Sequence, residues 1–463
     1  MVSPRNDARG PYIPPVNRLP PELLSLIFYE ALPQQLASAT LHPWFIPLVV
    51  SAVCNYWRIV AIDAPELWQW ISLTSCRSRR EHHSRKLARL FVHRAKRTGL
   101  SIFYQDVEAL SVTDDYLNVV ILERGIQAIP HSERCYCAVD FIMANIAEIR
   151  VLELSIGHAS IQRLSMLPPS AAKSLRNLRI SLLEGGVEVQ SLGSLLSTSP
   201  QLRFLSWSSY FSICEAPLPT TISWSQLVRV ELDESVMPFS TFYDVLITGK
   251  SLREVWVRLT HGARPRGLDA CRVSHYALEK IQIYGDEPLD DIFCALHLPA
   301  LHDLTLRFES TRLTRSAEWP CAKPQSLRHF IANGITSLNS LYVSPGGTIE
   351  EETLIAIMAL PSMASLKRLH VDISSVGDQV FESLSPGHRA RVPFLPHLST
   401  LTIGQCTTSD GVIAKMLRRR MRYRFPLQQM KIRFMRKEEG RHPMDMAQFQ
   451  RAQQAGVFAE GCY

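Results

Sequence analysis

Several things that would narrow the function of this 463-residue chain are missing from it. Its ten cysteines, at 54, 76, 135, 137, 214, 271, 294, 321, 406 and 462, include no C-x-x-C pair, so neither a metal site nor a disulfide framework is indicated. Cys135 and Cys137 alternate in a stretch that reads as a strand, Cys135 to Phe141, which would send the two thiols to opposite faces. There is no run of 18 apolar residues to span a bilayer. The first fifteen residues carry Arg5, Asp7, Arg9 and four prolines, with no apolar centre for a signal peptide. No P-loop, G-x-G-x-x-G, H-E-x-x-H or G-x-S-x-G occurs, so no enzymatic activity, cofactor or metal is expected. The one histidine pair, in Glu81-His82-His83, reads as a solvated helix face. Gly185-Gly186 and Gly346-Gly347 read as turns.

What is present is a chain that is 46% apolar and 20% charged, the balance of a folded protein and not of a disordered or membrane-embedded one. A cytoplasmic or nuclear location is expected, with no membrane partner. The net charge of +7 is unevenly placed. Arg77 to Arg97 holds nine Lys or Arg against one Glu, and Lys415 to Lys437 holds ten with no acid, so the remainder is acidic. The first run reads as an amphipathic helix with Leu87, Leu90, Phe91 and Ala95 inward. The second includes Arg418-Arg419-Arg420-Met421-Arg422, where Met416, Leu417 and Met421 are spaced as the inward side of a helix. A solvated basic face is the expectation there, with nuclear import or an acidic partner as alternatives. Nucleic acid is a weaker candidate partner.

Near the amino end, NRLPPELLSLIF places Pro20 and Pro21 at a helix start and Glu22 at the positive end of the helix dipole. Leu23, Leu24, Ile27 and Phe28 follow at helical spacing but cover more than one face, and Leu26 widens the apolar belt. Pro47 to Ile62 reads as one further helix with Val49, Val53, Trp57 and Val60 along a stripe, ended by Pro65 before Leu67, Trp68 and Ile71. So few residues in short helices cannot enclose their own apolar surface. The surplus must lie against the rest of the chain or against another protein.

L-P-x-E-L-L-x-x-I-F, followed by V-C-x-x-W-R and P-x-L-W, resembles the F-box. That resemblance implies docking on the Skp-type adaptor of a Skp–cullin–F-box (SCF) ubiquitin ligase, and through it a cullin. The adaptor-binding residues it implies are Leu19, Pro20, Glu22, Leu23, Leu24, Ile27, Phe28, Val53 and Trp57. The alternative is a helical cap that only seals a larger domain in a protein-interaction scaffold outside the ligase.

From residue 149 a pattern L-x-x-L-x-L, with other aliphatics allowed, recurs eleven times at intervals of 23 to 37 residues, from Ile149/Leu152/Leu154 to Leu427/Met430/Ile432. Apolar helical stretches ending in Pro200, Pro299 and Pro361 lie between triplets. One strand plus one helix per repeat resembles a leucine-rich repeat. The expected fold is therefore α/β: a small helical F-box, then a solenoid with parallel strands on a concave face and helices on the convex one. The turn position that leucine-rich repeats fill with Asn or Cys is matched only by Cys406, so the repeats are degenerate. The combination resembles a fungal F-box family. Expected boundaries are a disordered tail 1–16, the F-box 17–73, irregular repeats 74–148, the solenoid 149–437 and a tail 438–463 with a short helix near Met444 to Ala455.

Strand residues flanking the inward aliphatics should share the other face, by the period of two. These are Phe204, Arg229, Glu254, Trp256, Arg258, Tyr284, Arg307, Tyr342, Arg368 and His370, with Glu231, Lys280, Asp303 and Asp372 among them. Exposed aromatic and Arg side chains are the usual material of binding hot spots, so this face is the expected target-binding surface. The alternative is that loops cover part of it.

Overall fold

The computed structural model describes residues 14–32, 45–76, 83–96, 98–106, 135–183, 192–209, 222–260, 272–285, 287–308, 319–343, 349–372, 376–386, 394–422, 425, 427–435 and 442–462. The chain folds as two compact units. One is Met1–Leu202 with Ser209–Phe211 and Ala216–Ile222; the other is Arg203–Ser208 with Ser212–Glu215 and Ser223–Tyr463.

In the first unit, α1 (Pro21–Glu30) begins with proline at its first position, where the fixed φ suits the helix and the missing N–H leaves no bond unmade. The single helix expected over 47–62 is two: α2 (Ile46–Val53) and α3 (Asn55–Asp63). The chain breaks at Cys54, which is fully extended at φ −156° and ψ 171°. The Cys54 thiol accepts the Trp57 backbone N–H at 3.4 Å, satisfying one of the donors a helix start leaves open. Arg58 Nε donates to the Ser51 carbonyl at 2.8 Å, so the second helix closes the last turn of the first. The break resets the helical phase, and the expected stripe does not form: Val60 is buried while Val53 is 57% exposed.

Among the described residues, parallel strands follow in chain order: β1 (Trp70–Thr74), β2 (Leu100–Gln105), β3 (Ile149–Ile156) and β4 (Asn177–Leu182). The strand β1 lies inside the segment expected to be F-box, so the helical part ends at Trp68. The basic helix, α4 (His83–Ala95), buries Ala88, Phe91 and Ala95, and is rotated from the expected face so that Leu87 and Leu90 are only half-buried. Cys135 to Phe141, expected as a strand, is helical from Cys137 to Asn145. Val139, Ile142 and Ile146 are buried at a spacing of three and four, a helical period that outweighs the local alternation of the two cysteines.

Among the described residues of the second unit, ten strands of the main sheet lie side by side in chain order, all parallel. They are β5 (Phe204–Ser209), β6 (Arg229–Pro238), β7 (Glu254–Thr260), β8 (Lys280–Gly285), β9 (Asp303–Phe308), β10 (Ser340–Val343), β11 (Arg368–Val371), β12 (Thr400–Cys406), β13 (Gln429–Phe434) and β14 (Phe458–Cys462). Parallel neighbours need a crossover, and helices such as Phe239–Thr248, Pro324–Gly334 and Glu351–Met358 supply it. The expected tail 438–463 is no tail among its described residues. Helix Pro443–Gln454 and strand β14 add one more strand-and-helix unit, with Met430 opposite Ala459.

The register sets the core. Val230, Val255, Ile281, Leu304, Leu341, Leu369, Leu401 and Met430 stand opposite one another from strand to strand. All thirty-three aliphatic or aromatic positions of the eleven triplets are buried, none more than 2% exposed. Among the described residues of this unit the ladder slips at Leu232/Val236 and at Ile403/Cys406.

The expected disordered tail lies outside the described residues as far as residue 13; Pro15–Arg18 is a short 3-10 helix. The expected helix at Asp115 to Glu123, His82, both glycine pairs and residues 309–318 also lie outside them.

Leu304 is fully buried at the middle of the aliphatic ladder. Leu304→Ala is expected to lower unfolding free energy by about 2–5 kcal/mol in urea titration, and an unchanged midpoint would contradict this core.

Candidate functional site

Two surfaces emerge, one in each unit. In the first, α1 divides its apolar residues between two faces. Leu24 and Phe28 are 0% and 2% exposed, and the Phe28 ring tilts against Trp57 at 4.9 Å. These two were expected to meet an adaptor, and the structure corrects that: they pack against the chain's own helices. Trp57 is half-buried too, its Nε1 donating to Asn17 Oδ1 at 2.8 Å. Tyr56 OH donates to the Leu19 carbonyl at 2.7 Å, so the segment before α1 is pinned to α3. Leu19 is half-buried, while Pro20 and Glu22 are exposed.

The outer face of α1 is left open. Leu23, Leu26 and Ile27, at the i, i+3, i+4 spacing of one helix face, are 50%, 54% and 50% exposed. Val53 and Ile59 on the neighbouring helices are exposed as well. Ile59 was not foreseen, because its phase depends on the break at Cys54. Below these helices, Trp68 is fully buried, donating Nε1–H to the Ala61 carbonyl at 2.7 Å and meeting the Phe91 ring edge-on at 4.9 Å. Arg94 lies over the Trp68 ring at 4.3 Å, and burial lowers its pKa. One cation of the first basic run is therefore part of the packing.

The second surface is the face of the second unit's strands turned away from the aliphatic ladder. All ten residues expected to bind a target stand on it, and each is half-buried or exposed. The parallel register arranges them in columns. Arg229, Glu254, Lys280, Asp303 and Arg368 share one column in which charges alternate. Arg229 Nη1 lies 3.5 Å from Glu254 Oε2, Lys280 Nζ 3.2 Å from Glu254 Oε1, and Arg368 Nη2 3.1 Å from Asp303 Oδ1. Glu231 is only 5% exposed and accepts from Arg229, so that carboxylate is covered instead of presented.

Aromatic rings fill the space around the guanidinium groups. Arg229 sits 5.4 Å from the Phe204 ring and 4.7 Å from Trp256. Arg307 sits 5.7 Å from Tyr284 and 5.1 Å from Tyr342, whose ring stacks on His370 at 4.0 Å and 10°. Each such contact is worth about 0.5–1 kcal/mol at an exposed site, enough to hold a side chain in place but not to hold the fold. Among the described residues no carboxylate pairs with Arg307, which is exposed.

No family model matches the chain, and no curated protein matches it.

The second basic run proves to be partly internal. Met416 and Leu417 are buried as expected, but Met421 is half-exposed and Arg420 takes the inward position at 1% exposure. Its guanidinium donates to the carbonyls of Leu384, Leu395 and Phe425 at 3.1, 3.0 and 3.0 Å. Burial lowers its pKa to about 10, which still leaves it charged at neutral pH. Arg418 and Arg422 remain exposed. Among the described residues no helix is long and apolar enough to cross a membrane.

His370 reports on the tyrosine–arginine stack. Burial, and then the positive charge of Arg307, push its pKa down from 6.5 to about 4. A depressed base favours folding fully above the unfolded value and loses that contribution as pH falls from about 6.5 towards 4. NMR titration of the His370 ring should give a midpoint near pH 4, moved upward by Arg307→Gln. A wild-type midpoint at the ordinary imidazole value would contradict the stacked geometry.

Proposed function

We propose that this chain is the substrate-receptor subunit of an SCF-type ubiquitin ligase, with α1–α3 docking on a Skp-type adaptor and the outward strand face holding a target protein. The observation that carries this reading is the outer face of α1. Leu23, Leu26 and Ile27 are half-exposed although Leu24 and Phe28 already complete the internal packing. An apolar stripe of this kind on a small helical unit is what a partner covers. The F-box resemblance names the partner. Catalysis is assigned to other subunits; this chain would act by holding a target near the ubiquitin-carrying enzyme, raising its effective concentration.

A scaffold reading also has an observation behind it. Trp68 and Phe91 pack the helical region onto α4, as a cap would. Capping accounts for the buried residues and leaves the outer stripe of α1 without a role.

Co-expression with a Skp-type adaptor separates the two. A soluble complex is expected, and Leu23→Ala with Ile27→Ala should weaken it by about 1 kcal/mol or more per side chain. Because both residues are half-exposed, the double variant should keep its own unfolding midpoint, whereas Leu24→Ala should lower it. Adaptor capture that is absent, or indifferent to the double substitution, would favour the scaffold. For the target face, Trp256→Ala and Tyr342→Ala are expected to reduce recovery of ubiquitinated target while adaptor binding stays intact.

A further inference from the structure

Along the chain Cys76 lies 59 residues before Cys135, and an extended strand would turn Cys135 and Cys137 to opposite faces, but the fold brings the three together. Cys76 follows β1 and forms an isolated antiparallel bridge with Cys135, and Cys137 is the first residue of helix Cys137–Asn145. The three sulfur atoms lie within 4.8 Å of one another, and Cys76 Sγ is 3.2 Å from Cys137 Sγ. Cys76 and Cys137 are 6% and 4% exposed, and Cys135 is half-buried.

We propose that Cys76, Cys135 and Cys137 bind a thiophilic d10 cation, Cu(I) or Zn(II), through three thiolates. The geometry supports this on size. A zinc–sulfur bond is about 2.3 Å, which puts two sulfurs on one tetrahedral ion roughly 3.8 Å apart, a little wider than the Cys76–Cys137 spacing and inside the 4.8 Å that bounds all three sulfurs. Soft thiolate donors select these ions over harder ones. Cu(I) is satisfied by three sulfurs, whereas Zn(II) takes a fourth donor. An open groove of about 490 Å³, lined by Cys137, His93 and Asp140, borders the cluster on one side. Cys137 opens a nine-residue helix, whose amino end carries positive partial charge. Each thiol releases its proton to solvent as its sulfur–metal bond forms, so binding strengthens as pH rises.

A disulfide between Cys76 and Cys137 is the competing use of the same atoms. It employs two sulfurs and leaves the convergence of the third unexplained. The His–Asp cluster of Asp410, His442 and Asp445 differs. There Asp410 accepts the Met444 and Asp445 backbone N–H groups, and Asp445 accepts from Ala414 and contacts His442, so packing and capping already account for it.

The test uses the full chain, reduced and handled without oxygen. Zn(II) is followed with Co(II) as its spectroscopic probe, and Cu(I) by competition with a coloured chelator. One equivalent of one of these ions per chain is expected, with sulfur-to-cobalt charge-transfer absorption in the Co(II) arm if zinc is the occupant. Cys135→Ser, which alters the half-buried member, should weaken binding at least tenfold and abolish any metal-induced rise in unfolding temperature. Cys294→Ser, at an exposed cysteine elsewhere, should change neither. Cys137→Ala provides a second variant should Cys135→Ser misfold. Less than one equivalent of both ions, wild-type affinity in Cys135→Ser, or a Cys76–Cys137 disulfide in place of metal in non-reducing peptide mass spectrometry would each overturn the proposal. Adaptor binding involves other residues, so this outcome and that of the ligase reading are separable.

Discussion

Parallel pairing in register is the constraint on which the rest of the second unit depends. Each strand sets its residues opposite the equivalent residues of its neighbours, so an aliphatic position repeated along the chain becomes a continuous row in space. Val230 through Met430 form such a row, and every triplet position is buried. A single strand-and-helix unit cannot enclose its own apolar edge; only the next unit does so, which makes stability a matter of nearest neighbours. Because the side-chain period is two, the same register leaves the alternate positions to vary without cost to the core.

Those alternate positions are organised too. The column from Arg229 to Arg368 alternates in sign, and most of its charges are answered within the column. Exposed pairs of this kind contribute little to stability, typically below about 1 kcal/mol. Their effect is to hold long side chains in fixed places beside Trp256, Tyr284 and Tyr342. A face preset in this way has less entropy to lose on meeting a partner. Arg307, between two tyrosines, stands outside the pattern as a cation with no carboxylate partner among the described residues.

The first unit solves a different problem. Its helices are anchored by Trp57, Trp68 and Phe91, each ring packed and each indole N–H bonded, yet α1 keeps an apolar stripe outside. The two faces of α1 separate what holds the unit together from what faces solvent. The sequence motif spans both, so its spacing alone does not tell the buried Leu24 and Phe28 from the exposed Leu23 and Ile27.

Periodicity alone determined the repeats, their strands, the burial of the triplets and the membership of the outward face, because a parallel sheet converts sequence spacing directly into position. It failed where a local event changed the phase or where distant segments met. The extended Cys54 ended one helix and restarted another, turning Val53 and Ile59 outward. The inward Arg420 was invisible because its three carbonyl partners come from separate turns. The approach of Cys76 to Cys135 and Cys137 was likewise decided only by the tertiary structure, since residues 59 and 61 positions apart have no common pattern until a sheet and a helix bring them together.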